Sequence, residues 1–104
     1  MIKSELITNI ASKMTHLSEK KVAQSVNYLL DQMSESLQNG QRIEVRGFGS
    51  FSLHFRAARQ AHNPKTGKKL ITTEKYSAHF KPGKELRERI NASRTRCDIQ
   101  NDEE

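Results

Sequence analysis

The chain reads as a single α+β domain, and three observations point there. Apolar residues recur at helical spacing up to Leu37 and switch to strand alternation after Gly40, so helices precede strands. The stretch Arg56 to Lys69, RAARQAHNPKTGKK, holds five Lys/Arg and no acid, and two strand-like runs, Ser50–Phe55 and Leu70–Thr73, flank it. A length of 104 residues leaves room for one domain at most, and hydrophobic residues at 34% are a thin supply for a lone monomer, a deficit that pairing with a second chain would solve.

Leu6, Ile7, Ile10, Ala11 and Met14 keep to one helical face, predicting a short amphipathic helix from about Lys3 to Met14. Ser18 is the expected N-cap of a second helix. Leu17 before it is placed to close on Val22 as a hydrophobic staple, although Lys21 spoils the capping box. Val22, Val26, Leu29, Leu30, Met33 and Leu37 then form one stripe, and Asn39-Gly40 ends the helix with a residue free to turn left-handed. Next, Ile43 and Val45 alternate with Arg42, Glu44 and Arg46, the pattern of a half-buried strand, and Gly47-Phe48-Gly49 makes a tight connection. Phe51, Leu53 and Phe55 share one strand face, while Ser50, Ser52, His54 and Arg56 share the other. The apolar faces are expected to cover the helical hairpin. Tyr76–Phe80 is expected as a third strand. Pro82-Gly83 breaks it, with Pro82 suited to the first turn of a last helix that buries Leu86 and Ile90 and exposes Lys84, Arg87 and Arg89. Residues 1–92 thus form the domain, with the arm at about 56–74. Residues 93–104, which lack periodicity, are expected to be a disordered tail.

Charge is distributed unevenly. Residues 1–40 carry four basic and four acidic side chains, whereas residues 41–96 carry 14 basic against Glu44, Glu74, Glu85 and Glu88. A positive field confined to the second half of the chain is what a phosphate-binding footprint requires. Cys97 is the only cysteine, which excludes an internal disulfide and a Cys-based metal cluster. The four histidines have no metal-ligand spacing with a carboxylate or Cys, and no Ser-His-acid set or phosphate-cradling Gly loop is present, so neither catalysis nor a cofactor is expected. No apolar run is long enough for a signal peptide or a membrane span, which makes a soluble cytoplasmic protein the expectation, without membrane or small-molecule partners.

The basic segment is too poor in apolar residues to pack a core of its own. Its natural geometry is a two-stranded ribbon projecting from the body, with Asn63–Gly67 as the turn at its tip: Pro64 fixes φ early and Gly67 supplies a φ > 0 position later. An isolated ribbon is only marginally stable in water, so it is expected to order on a polyanion. A nucleic acid is the natural choice. The same cations would also serve an RNA-binding module, and a bending assay separates the two.

Gly47-Phe48-Gly49-Ser50-Phe51, the arm Arg56-Ala57-Ala58-Arg59 with Asn63-Pro64-Lys65-Thr66-Gly67, and Phe80-Lys81-Pro82-Gly83-Lys84 strongly resemble the HU/integration host factor family of bacterial DNA-bending proteins. The resemblance runs from about residue 1 to residue 92 without a gap. It implies an intertwined dimer in which helices form the base, sheets form a saddle, and two arms wrap the minor groove of double-stranded DNA in the nucleoid, supporting recombination, replication and transcription. Arg42 to Gly47, Ser50 to Arg56 and His79 to Arg87 are similar to the beta subunit of integration host factor, which implies an alpha-type subunit as heterodimer partner. An HU-like homodimer is the alternative. Ala61-His62 departs from the Gly-Arg usual in the family. Losing the Gly should stiffen the arm, and an imidazole at position 62 should weaken its phosphate contact as pH rises.

Contact roles follow from residue chemistry and that resemblance. Pro64 at the tip can wedge between base pairs. Unstacking costs about a few kcal/mol per step in such minor-groove proteins, of which this family is itself a recognised example, and is offset by wrapped contacts. Arg46 is the candidate for minor-groove reading, with Glu44 expected to hold its guanidinium. Asn63, Thr66, Arg59 and His62 are further candidates in the groove. Either Asn63 or Thr66 can instead simply close the turn. Phosphate contacts are expected from Arg56, Lys65, Gly67, Lys68 and Lys69 on the arm, from Lys75, Lys81, Gly83 and Lys84 on the body, and from the helix start at Lys3 and Ser4.

Overall fold

The structure is a computed structural model that describes residues 1–100, and for Ala61, His62 and Thr72 their backbone only. It contains α1 (Lys3–Lys13), α2 (Glu19–Gln38), β1 (Ile43–Val45), β2 (Gly49–Arg56), β3 (Arg59–His62), β4 (Lys69–Thr72), β5 (Lys75–Pro82) and α3 (Lys84–Ser93). The chain divides into two compact units, residues 1–39 and the remainder.

In the first unit α1 and α2 form the predicted hairpin. Ser18 caps α2 as expected, its hydroxyl accepting from the Lys21 amide at 3.2 Å. Ile7, Val22 and Val26 are buried, with Ile10, Ala11, Leu17 and Ala23 packed around them. The apolar stripe of α2 is wider than this core can use. Tyr28, Leu29 and Leu30 on the same helix remain exposed.

The second unit is built on an antiparallel sheet of order β1-β2-β5, with β3 and β4 forming a separate two-stranded ribbon. β2 pairs with β5 over its whole length, from Gly49 opposite Pro82 to Arg56 opposite Lys75. Strand alternation then puts Phe51, Leu53 and Phe55 on one face with their partners Phe80, Ala78 and Tyr76. Their rings interlock: Phe80 lies 4.8 Å from Phe51 and 5.2 Å from Phe48, and Phe55 lies 5.4 Å from Tyr76. Burial falls toward the arm, where Phe55 is 56% and Tyr76 69% exposed.

Two expectations are corrected here. Pro82 does not open the last helix: it ends β5, and α3 starts at Lys84 with Gly83 as its N-cap. A proline at the end of a strand forgoes a ladder donor where the ladder stops anyway. α3 also has no buried residue. Leu86 is half-buried, but Ile90 is 49% exposed. After Ser93 the chain curls into a turn, with the Arg96 and Cys97 amides donating to the Ser93 carbonyl at 3.0 Å. The rest of the predicted tail, residues 101–104, lies outside the described residues.

Gly49 shows how closely β2 and β5 approach. A Cβ there would stand 2.5 Å from the Lys81 carbonyl oxygen and 2.8 Å from the Phe80 ring. Neither neighbour is the free end of a flexible side chain, so the strands themselves would have to shift. Gly49→Ala is therefore expected to destabilise by about 1–3 kcal/mol, the usual range for overpacking. Urea unfolding at fixed protomer concentration checks this, and an unchanged midpoint would show that the strands separate freely at this point.

Candidate nucleic-acid interface

The face of the sheet opposite the phenylalanines is polar and cationic. The register that aligns Phe51 with Phe80 also places Ser50, Ser52, His54 and Arg56 of β2 beside Lys81, His79, Ser77 and Lys75 of β5. Arg56 is anchored there, its Nε donating to Ser77 Oγ at 3.2 Å. Glu44 joins this face from β1, opposite Ser50.

Glu44 does not hold Arg46. Its Oε1 accepts from Arg42 Nε at 3.0 Å, and Arg42 also reaches Ser50 Oγ at 3.4 Å. Arg42 lies just before β1 and Arg46 just after it, but Arg46 sits in the turn closed by Phe48 N to Val45 O at 3.0 Å, which carries it away from the strand. The side chains of the Arg42–Glu44 ion pair are 58% and 72% exposed. At that exposure it contributes at most about 1 kcal/mol, so its effect is to orient rather than to stabilise.

Arg46 instead looks into an open cleft of about 620 Å³, where the turn, the end of β5 and the start of α3 bring Arg42, Lys81, Lys84 and Arg87 together with it. Sequence reasoning had Arg46, Lys81 and Lys84 but missed Arg42 and Arg87. The only signal for those two was the general positive charge of this half. Gly83 lines the cleft, but its amide is already committed, donating to the Phe48 carbonyl at 2.9 Å. The free donors of this helix start are therefore the amides of Lys84, Glu85 and Leu86, since the Arg87 amide donates to the Gly83 carbonyl at 3.0 Å.

The arm leaves the sheet between Arg56 and Lys75. β3 and β4 pair from Arg59 opposite Thr72 to His62 opposite Lys69. At the tip, Asn63 N donates to Lys68 O at 2.9 Å and Gly67 N to Asn63 O at 2.8 Å. Two side chains complete the turn: Asn63 Oδ1 accepts from Lys65 N at 2.9 Å and Thr66 Oγ1 from Lys68 N at 3.4 Å. Gly67 takes the left-handed φ of 68°. Asn63 and Thr66 thus close the turn, which leaves the Pro64 ring exposed, flanked by exposed Lys65, Lys68 and Lys69. The His62 side chain lies outside the described residues.

In the helical unit, Lys3 is tied back to α2, its Nζ donating to Asn27 Oδ1 at 2.9 Å, and Glu5 accepts from the Ile2 amide at 3.3 Å. Ser4 is exposed beside them. The acid at this helix start competes with any incoming anion.

A family model described as bacterial DNA-binding protein matches residues 1–91. Integration host factor subunit beta of Halorhodospira halophila is 62% identical over 94 residues, covering 90% of this chain and 92% of the relative. The same subunit of Colwellia psychrerythraea is 58% identical over 93 residues, covering 89% and 98%. Among solved structures, an Anabaena HU–DNA cocrystal structure matches with a TM-score of 0.78 at 31% identity, covering 86% of this chain and 97% of that one. HU from Thermotoga maritima matches with a TM-score of 0.59 at 28% identity, covering 86% and 98%.

Because Glu44 is the acid on the cationic face and its ion pair is exposed, Glu44→Gln should deepen the positive field at little cost in stability. The expected outcome is elution from heparin at higher salt with a melting temperature close to the parent's. Unchanged elution would mean that this face does not meet the polyanion.

Proposed function

The chain belongs to the family of bacterial DNA-binding proteins, and on that footing we propose that it is an architectural subunit of the integration host factor beta type, which grips duplex DNA through the minor groove and bends it. No catalysis is part of this reading. The observation that carries it is the exposed Pro64 ring at the tip of a ribbon whose turn is closed by its own side chains. A rigid apolar ring presented in this way, among Lys65, Lys68 and Lys69, suits insertion between base pairs while the cations neutralise phosphates on either side.

The other residues divide by location. Arg59 and His62 on the ribbon line the groove with the tip residues Asn63 and Thr66, whose oxygens close the turn and whose remaining donors, the Asn63 amide nitrogen and the Thr66 hydroxyl, can meet base edges or sugars. Gly67, Lys68 and Lys69 follow the backbone on the return strand. Arg56, Lys75 and Lys81 on the sheet face, the Lys84 amide and side chain, and Lys3 with Ser4 at the other helix start contact phosphates along the bent duplex. Arg46, free of Glu44, reads the groove, and Glu44 orients Arg42 beside it.

Pro64→Ala tests the wedge. It should bind nicked or pre-kinked duplex much as the parent does and lose affinity and bending, read by fluorescence energy transfer between the DNA ends, on intact linear duplex. Equal loss on both substrates would reduce Pro64 to a turn former.

The partner is an alpha-type subunit. Each unit leaves apolar side chains exposed, Leu29 and Leu30 on α2 in the first and Phe55 and Tyr76 on the sheet in the second, and these support pairing with a second chain. Mixing with an alpha-type chain should give a single thermal transition above that of either chain alone. Two unchanged transitions would favour an HU-like homodimer and remove the case for sequence reading by Arg46.

A further inference from the structure

Two imidazoles stand face to face in the middle of the cationic sheet. The His54 and His79 rings are 4.5 Å apart between centroids and 19° from parallel. The register sets them diagonally, His54 opposite Ser77 and His79 opposite Ser52, so both project from the face that carries Arg56, Lys75 and Lys81. Both are exposed. No cluster of three metal-ligating side chains exists among the described residues, and near-parallel rings do not converge their nitrogens on one ion.

We propose that His54 and His79 form a phosphate contact that takes up a proton when nucleic acid binds, so that affinity rises as pH falls from 8 to 6. The proposal rests on the DNA-binding reading above. Imidazole is the side chain whose charge changes within this window. In the free protein, two imidazolium rings stacked this closely would repel each other. The charges around them are mostly of the same sign: Arg56 on β2, Lys75 and Lys81 on β5, and Arg42 beside β1, against Glu44, which Arg42 already holds. A phosphate brought onto this face reverses the balance, because its oxygen accepts from a ring N–H and its charge offsets the one acquired. By linkage, whatever favours the proton when DNA is bound also favours DNA when the proton is bound. The serines on either side are small enough to let a phosphate reach the rings.

The test is a titration of a linear duplex at pH 6, 7 and 8 at constant ionic strength, with His62→Gln as parent so that the arm imidazole contributes nothing. The parent should tighten with falling pH by at most about tenfold per pH unit for each proton taken up. Adding His54→Gln and His79→Gln should make affinity the same at pH 6 and pH 8. Calorimetry in two buffers of different ionisation enthalpy counts the proton directly, and uptake by the parent alone is expected. A pH slope that survives in the Gln variant, or parent binding without proton uptake, overturns the proposal. Both positions are exposed, and far-ultraviolet dichroism verifies that the variant is folded. Failure of the parent to bind duplex at any of these pH values would instead overturn the DNA-binding reading, and this proposal with it.

Discussion

Ile7, Val22 and Val26 are the only buried side chains among the described residues, while Tyr28, Leu29, Leu30, Phe48, Phe55 and Tyr76 are exposed. Burying a side chain of this size yields about 1.5–3 kcal/mol, and a domain's whole stability is only about 5–15 kcal/mol. Covering even a few of them therefore decides whether the fold is stable. The rest of the structure depends on this shortage of self-burial. It leaves the arm and the cationic surface free of any duty in the core. Under the proposed reading, the missing core comes from a second subunit, which would cover exposed apolar residues of α2 and of the sheet.

Strand alternation lets the same residues serve both ends. β2 and β5 carry phenylalanines on one face and cations on the other, and because the side-chain period is two, a slip of one residue would exchange them. Gly49 helps hold the register, since it lets β2 approach the Lys81 carbonyl more closely than any Cβ would permit. The position of every candidate phosphate contact on the sheet is thus set by the packing of Phe51 and Phe80 on the opposite face. Like charges gathered in this way would repel one another, and the structure answers locally: Arg56 is pinned to Ser77 and Arg42 to Glu44.

Most of the fold was legible in the sequence because its periods are clean. The stripe from Val22 to Leu37, the Ser18 cap and the alternation through Phe51, Leu53 and Phe55 each appear as expected. The ribbon's first strand was harder to read. Arg59–His62 has no apolar alternation, since its pairing is fixed by the turn at its end rather than by burial. The partner of Glu44 is hidden for a related reason: Arg42 and Arg46 are equally spaced from it in sequence, and only the turn that begins at Arg46 separates them. Gly83 marked a helix start correctly, but a contact with Phe48, 35 positions away, had already taken its amide. Such long-range commitments leave no local trace. The stacked histidines belong to the same class, being 25 positions apart in sequence and adjacent only through the β2–β5 register.

The arm poses the opposite problem to the core, since it must hold a shape with almost nothing to bury. Its solution is to satisfy its own backbone. Asn63 both donates and accepts at the mouth of the turn, its side chain accepts a further amide, Thr66 accepts another, and Gly67 absorbs the left-handed bend. Each of these contacts is worth only about 0.5–1.5 kcal/mol net, but together they fix the few residues on which the orientation of Pro64 depends. A tip ordered in advance loses little further entropy on binding, and behind it β3 and β4 stay paired from Arg59 opposite Thr72 to His62 opposite Lys69. Under the proposed reading, the order lies where it is needed, since a ring can wedge between base pairs only if the turn that carries it holds its shape.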